Sequence, residues 1–98
     1  MKSALITGAS RGIGKGIAEV FASNSYNVAV GYLNSTDLAK ETCDKLRDQY
    51  SINAIAVQGD ISTLEGCSNL VGQVTDTFGK LDVLVNNAAQ YSRDPKEE

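Results

Sequence analysis

Apolar positions along the chain fall into four short runs separated by longer amphipathic stretches. The runs are Ser3-Ala4-Leu5-Ile6-Thr7, Asn27-Val28-Ala29-Val30-Gly31-Tyr32, Ala54-Ile55-Ala56-Val57 and Leu81-Asp82-Val83-Leu84-Val85. Each has strand length, and their near-continuous hydrophobicity suits strands covered on both faces, as in a parallel sheet. The intervening stretches have helical spacing. The first sets Ile13, Ile17 and Phe21 four apart with Ala18 beside them, and the second lines up Ala39, Cys43, Leu46 and Tyr50. A third stripe, Leu64, Cys67, Val71, Val74 and Phe78, follows Ser62-x-x-Glu65, a capping-box signature, and stops at Gly79.

Strand and helix therefore alternate in the βαβ manner that predicts an α/β fold with a doubly wound parallel sheet. Right-handed crossovers add the second and third strands on one side of the first and send the fourth to its other side, giving the order 3-2-1-4. That layout places the helices carrying Cys43 and Cys67 on opposite faces, beyond disulfide reach. The pattern predicts one Rossmann-type domain over residues 1–90. Residues 91–98, polar and unpatterned, read as a loop or tail.

Composition narrows the function classes. The 98 residues carry nine basic and twelve acidic side chains, a net charge of -3, with no clustered Lys and Arg to contact nucleic acid or an anionic membrane. There is no histidine, which removes His-dependent triads and His-ligated zinc. Two cysteines without close spacing read as buried thiols rather than a disulfide framework, a zinc site or a redox pair. Met1-Lys2-Ser3 leads into an apolar run too short for a signal peptide or a membrane span, so a cytoplasmic chain is the expectation.

The candidate chemistry lies directly after the first strand, in Thr7-Gly8-Ala9-Ser10-Arg11-Gly12-Ile13-Gly14. Gly8 permits a tight turn off the strand, Gly12 lets the backbone approach a diphosphate, and Gly14 allows close helix packing. A diphosphate seated there meets the N–H groups and positive dipole end of the first helix. Two rival motifs are excluded. GxxxxGK[ST] fails at Ala9 and Gly16, and GxGxxG fails because Ile17 stands where its last glycine belongs.

The pattern that does match, TGxxxGxG, resembles that of the short-chain dehydrogenase/reductase family, and the resemblance extends over residues 1–90. Within that family the chain is most similar to reductases of the 3-oxoacyl carrier-protein type. Two further segments carry the resemblance. Asp60-Ile61 looks like the family's acidic-aliphatic pair beside the adenine ring, and Asn86-Asn87-Ala88-Ala89 looks like its NNAG segment with Ala89 in place of glycine. The resemblance implies cofactor contacts at Gly8, Ser10, Arg11, Gly12, Ile13, Gly14, Asp60, Ile61, Asn86 and Ala88.

Local charge suggests which dinucleotide. An NAD-selective site needs a carboxylate near the end of the second strand for the ribose 2′-hydroxyl. Here the stretch is Val30-Gly31-Tyr32-Leu33-Asn34-Ser35, without an acid, and Asp37 falls in the first helical turn behind Ser35 or Thr36 as N-cap. Arg11, inside the glycine loop, is placed to pair with a 2′-phosphate, with Asn34 or Ser35 as neutral donors. The expectation is NADP(H) in preference to NAD(H).

The resemblance also implies hydride transfer between alcohols and carbonyls, with a Ser and a Tyr-x-x-x-Lys pair as catalytic groups. None of the four tyrosines fits. Tyr26, Tyr32, Tyr50 and Tyr91 are followed four residues on by Val30, Thr36, Ala54 and Pro95. The expectation is the cofactor-binding portion of an oxidoreductase, truncated before its catalytic segments and inactive alone. The alternatives are a free-standing nucleotide-binding module and an interaction module. An exposed fourth strand would then self-associate or dock onto full-length relatives.

Overall fold

The computed structural model describes residues 1–87. Its elements alternate as β1 (Ser3–Thr7), α1 (Gly12–Ser23), β2 (Asn27–Tyr32), α2 (Thr36–Tyr50), β3 (Ala54–Gln58), α3 (Leu64–Phe78) and β4 (Val83–Asn86). The four strands form one parallel sheet in the order β3-β2-β1-β4. This is the doubly wound arrangement expected from the hydrophobic pattern. The domain boundary at residue 90 and the tail 91–98 lie outside the described residues.

Successive residues of a strand point to opposite faces, so one run of apolar residues feeds two cores. On one face Ala4, Ile6, Val28 and Val30 pack against Ala18 and Ala22 of α1 and Ala39, Cys43 and Leu46 of α2. On the other, Leu5, Ala29 and Val57 meet Leu70 and Val74 of α3. Each large apolar side chain buried here contributes about 1.5–3 kcal/mol. The central strand β1 is buried along its whole length. By contrast β4 alternates half-buried and exposed, because its Leu84 points to the α3 side of the sheet edge and stays 55% exposed.

Helical periodicity located the helices but misplaced parts of their buried stripes. Ile13 is 79% exposed and Leu64 is 86% exposed, whereas the buried faces are Gly14, Ala18 and Ala22 in α1 and Gly66, Leu70 and Val74 in α3. Glycine supplies no hydropathy signal, yet at Gly14 and Gly66 it marks the closest approach of each helix to its neighbours. The cap of α3 also moves by one residue. Thr63 rather than Ser62 is the N-cap, its hydroxyl accepting from Gly66 N at 2.9 Å, so no reciprocal Glu65 contact forms. Ser62 is instead drawn back onto Asp60. At the other end Gly79 adopts φ 85° and closes α3 as expected. The fourth strand begins at Val83 rather than Leu81, since Asp82 is occupied in tying the strand entry to Ser3 through paired backbone and side-chain bonds.

Both cysteines are free and they sit on opposite faces of the sheet. Burial pushes the Cys43 thiol up to about 11, which leaves it an uncharged core residue at neutral pH. Cys67 departs from the expected pair of buried thiols. It is only half-buried, and its Sγ lies 3.3 Å from the Ile61 carbonyl. Among the described residues no helix is long and apolar enough to cross a membrane.

Candidate functional site

In a parallel sheet the connections leave β1 toward β2 on one side and return through β4 on the other, which opens a crevice beyond the carboxyl ends of the strands. Here that crevice is a cleft of about 710 Å³, within the usual range for ligand pockets. Four chain segments line it, with Leu70 of α3 beside them: the end of β1 and the loop after it, the end of β2 with Leu33–Ser35, Gly59–Ser62 after β3, and Asn87 after β4.

The loop is held from three directions. Gly8, at φ 68°, donates its N–H to the Gly31 carbonyl at 2.9 Å, which locks the turn onto β2. Its own carbonyl accepts from Asn87 Nδ2 at 3.2 Å, linking the loop to the end of β4. The Ser10 carbonyl accepts from the Thr42 hydroxyl of α2 at 3.2 Å. Gly12 turns at φ 64°, and a Cβ built there would meet nothing within 4 Å. Gly14 is the opposite case, since its Cβ would lie 2.2 Å from the Gly8 oxygen and 2.5 Å from Asn87 Nδ2. The tight packing at Gly14 is thus against the loop and Asn87, where β1 and β4 end.

Helix α1 opens without a side-chain cap. Its N-cap, Arg11, is extended at φ -163° and makes no capping bond, and the first turn carries no acid. The contrast with Thr63 on α3 is direct: one helix closes its N-terminus with a hydroxyl, the other leaves its first N–H groups for whatever enters beside Gly12.

Among the described residues the cleft lining holds one cation, Arg11, and one acid, Asp60. Asp60 Oδ1 accepts from Ser62 N at 2.9 Å and Ser62 Oγ at 2.6 Å, and these bonds hold the exposed carboxyl below its ordinary value. The end of β2 presents Tyr32, Leu33, Asn34 and Ser35, and Asp37 lies in the first turn of α2 outside the lining.

Of the residues singled out by sequence, Gly8, Ser10, Arg11, Ile13, Asp60 and Ile61 come together on the cleft wall. Gly12 and Gly14 shape the loop without lining the cleft. Asn86 does not line it either. Its Oδ1 lies 3.3 Å from the Thr7 hydroxyl, which places it between the ends of β1 and β4. Ala88 falls outside the described residues. Sequence reasoning passed over Asn87 and Thr42 as supports of the loop. Asn87 was visible as the neighbour of Asn86. For Thr42 the one signal was a hydroxyl beside Cys43 on an otherwise apolar helix face.

A glycine-turned loop leading from a central parallel strand into an uncapped helix is a dinucleotide-site architecture. The family model for short chain dehydrogenase matches residues 2–98. The chain belongs to the short-chain dehydrogenase family. Among its relatives, the 3-oxoacyl-(acyl-carrier-protein) reductase of Staphylococcus aureus (strain N315) is 41% identical over 87 residues, which is 89% of this chain and 35% of that protein. The L-sorbose reductase of Gluconobacter frateurii, solved with NADPH and L-sorbose, superposes with a TM-score of 0.85 at 35% identity, covering 99% of this chain and 37% of the reductase. A short chain dehydrogenase from Burkholderia cenocepacia J2315, solved with NADP, gives a TM-score of 0.82 at 40% identity over 89% of this chain and 35% of that one.

The chain therefore spans about a third of the length of the short-chain dehydrogenases it matches.

Proposed function

We propose that the cleft holds NADP(H) and that the chain serves as the cofactor-binding part of a carbonyl or alcohol oxidoreductase. The bare N-terminus of α1 carries this reading. Its cap makes no side-chain bond, its first turn lacks an acid, and open space stands over Gly12. Unpaired N–H groups and the positive end of the helix dipole favour an anion there, and the diphosphate of a dinucleotide supplies one. In this reading Gly8, Ser10, Gly12, Ile13 and Gly14 form the diphosphate side, and Arg11 faces the 2′-phosphate. Asp60 and Ile61 flank the adenine, and Asn86 and Ala88 complete the site.

Selectivity follows from charge. Arg11 is the cation on the wall, and the end of β2 offers Asn34 and Ser35 in place of a carboxylate that would bind a 2′-hydroxyl and repel a 2′-phosphate. When bound, the nicotinamide gives or takes the hydride of the family's reaction. These 98 residues contain no Tyr-x-x-x-Lys, so we assign them binding and no turnover of their own.

Calorimetry tests both halves. NADPH is expected to bind at least about tenfold tighter than NADH, and Arg11→Ala to remove most of that difference, in line with the loss of one charge-assisted contact. Equal dissociation constants in the wild type would overturn the preference. Steady NADPH oxidation with carbonyl substrates would overturn the assignment of binding alone.

A second reading, an interaction module, is favoured by Leu84 on the edge strand β4, 55% exposed. It predicts concentration-dependent self-association through that edge. Size-exclusion chromatography checks it, and a sharp monomer peak at working concentration counts against it.

A further inference from the structure

Thr42 is 3% exposed, inside a helix whose other buried residues are Ala39, Cys43 and Leu46. A buried threonine in a helix commonly satisfies its hydroxyl on a carbonyl one turn back in the same helix. This one reaches across 32 positions of sequence to the Ser10 carbonyl, 3.2 Å away. The bond falls on the peptide that joins Ser10 to Arg11.

A planar trans peptide sends its carbonyl and its N–H in opposite directions, and no cis bond occurs among the described residues. Holding the Ser10 carbonyl toward α2 therefore turns the Arg11 N–H away from α2 and fixes the plane from which the Arg11 Cα departs. Asn34 and Ser35 immediately precede the same helix, and the Ser35 carbonyl accepts from Ala39 N at 3.0 Å within its first turn. Arg11 comes from a different βα unit. Two bonds tie its loop to the frame of Asn34 and Ser35, Gly8 N–H to the Gly31 carbonyl of β2 and the Thr42 hydroxyl to the Ser10 carbonyl, and only the second falls on the peptide adjoining Arg11.

We infer that Thr42 is a positioning residue for dinucleotide selectivity: its hydroxyl holds Arg11 in register with Asn34 and Ser35 so that the three meet one 2′-phosphate. The inference rests on the NADP(H) reading of the cleft. It makes the contribution of Thr42 specific to a ligand that bears the 2′-phosphate, which a purely structural hydroxyl would not be.

The experiment is calorimetry of the full chain with NADPH and with NADH for wild type, Thr42→Val, Thr42→Ser and Thr42→Val combined with Arg11→Ala. Thermal unfolding of each variant sets the temperature at which all are folded. Thr42→Val keeps the shape of the side chain and removes the donor. It is expected to weaken NADPH about fivefold while changing NADH less than about twofold, with Thr42→Ser near wild type. In the Arg11→Ala background the same change is expected to leave NADPH affinity unaltered, because the two act through one contact.

Equal weakening of both cofactors, or a lowered melting temperature with unchanged selectivity, would assign Thr42 to packing and overturn the inference while leaving the NADP(H) reading intact. A wild type that does not discriminate overturns both.

Discussion

Gly14→Ala is expected to lower the melting temperature by about 12 °C and to weaken NADPH binding at least about tenfold in the protein that remains folded. A helix-interior glycine ordinarily gains about 1 kcal/mol on replacement by alanine. At Gly14 the added Cβ would stand 2.2 Å from the Gly8 oxygen, 2.8 Å from its carbon and 2.5 Å from Asn87 Nδ2. Two of those atoms are backbone, in a turn locked to β2 by the Gly8 to Gly31 bond, and cannot yield without opening the loop. Overpacking of this kind costs about 3 kcal/mol, which exceeds the propensity gain and corresponds to roughly 4–8 °C per kcal/mol in a domain of this size. Gly16→Ala is the control. It lies two residues further along the same helix with nothing within 4 Å of its Cβ, and is expected to raise the melting temperature by a few degrees. Thermal unfolding of the pair checks the argument, and a Gly14→Ala protein as stable as wild type would refute the close packing at the loop.

The second large effect is expected at Gly66. A Cβ there would fall 1.8 Å from the Asp60 oxygen, 2.7 Å from the Asp60 carbon and 2.9 Å from Thr63 Oγ1, the atom that caps α3. Gly66→Ala must therefore break the cap or push the Asp60 segment outward. A lost cap costs about 1 kcal/mol and the overpacking about 3 kcal/mol more, a large share of the stability of a small domain. The expected result is a protein at least half unfolded at 37 °C by circular dichroism. Gly72→Ala, in the same helix with nothing near its Cβ, is expected to be neutral or slightly stabilising. Because Asp60 and Ile61 line the cleft, the damage at Gly66 would also reach the proposed adenine side. A well-folded Gly66→Ala protein with unchanged NADPH affinity would contradict this.

Much of the architecture was legible along the chain. Val28, Ala29 and Val30, apolar in succession, announced a strand buried on both faces, and the four such runs with helices between them implied the sheet order found. Gly8 and Gly12 were readable because positive φ is a local requirement of the backbone. The helix faces were less legible. Hydropathy counted Ile13 and Leu64 as core, although they stand at the exposed amino ends of α1 and α3, and it overlooked Leu70, which is 1% exposed under the sheet. The α3 cap slipped by one residue because Ser62 and Thr63 are both good caps, and the choice depended on Asp60 engaging Ser62.

By itself the sequence determined the alternation of elements, the parallel sheet and its order, and the position of the glycine turn, since periodicity and backbone sterics act over a few neighbouring residues. The tertiary structure decided what each glycine costs to replace. Close packing at Gly14 was readable from the glycine motif, but Gly66 and Gly72 look alike in sequence, and they differ in whether a backbone oxygen, that of Asp60 in the turn before α3, occupies the space a methyl group would need. The same holds for Asn87 and Thr42, whose hydrogen bonds to Gly8 and Ser10 span 79 and 32 positions of chain. Contacts of that range arise from the packing of whole elements, and no local pattern encodes them.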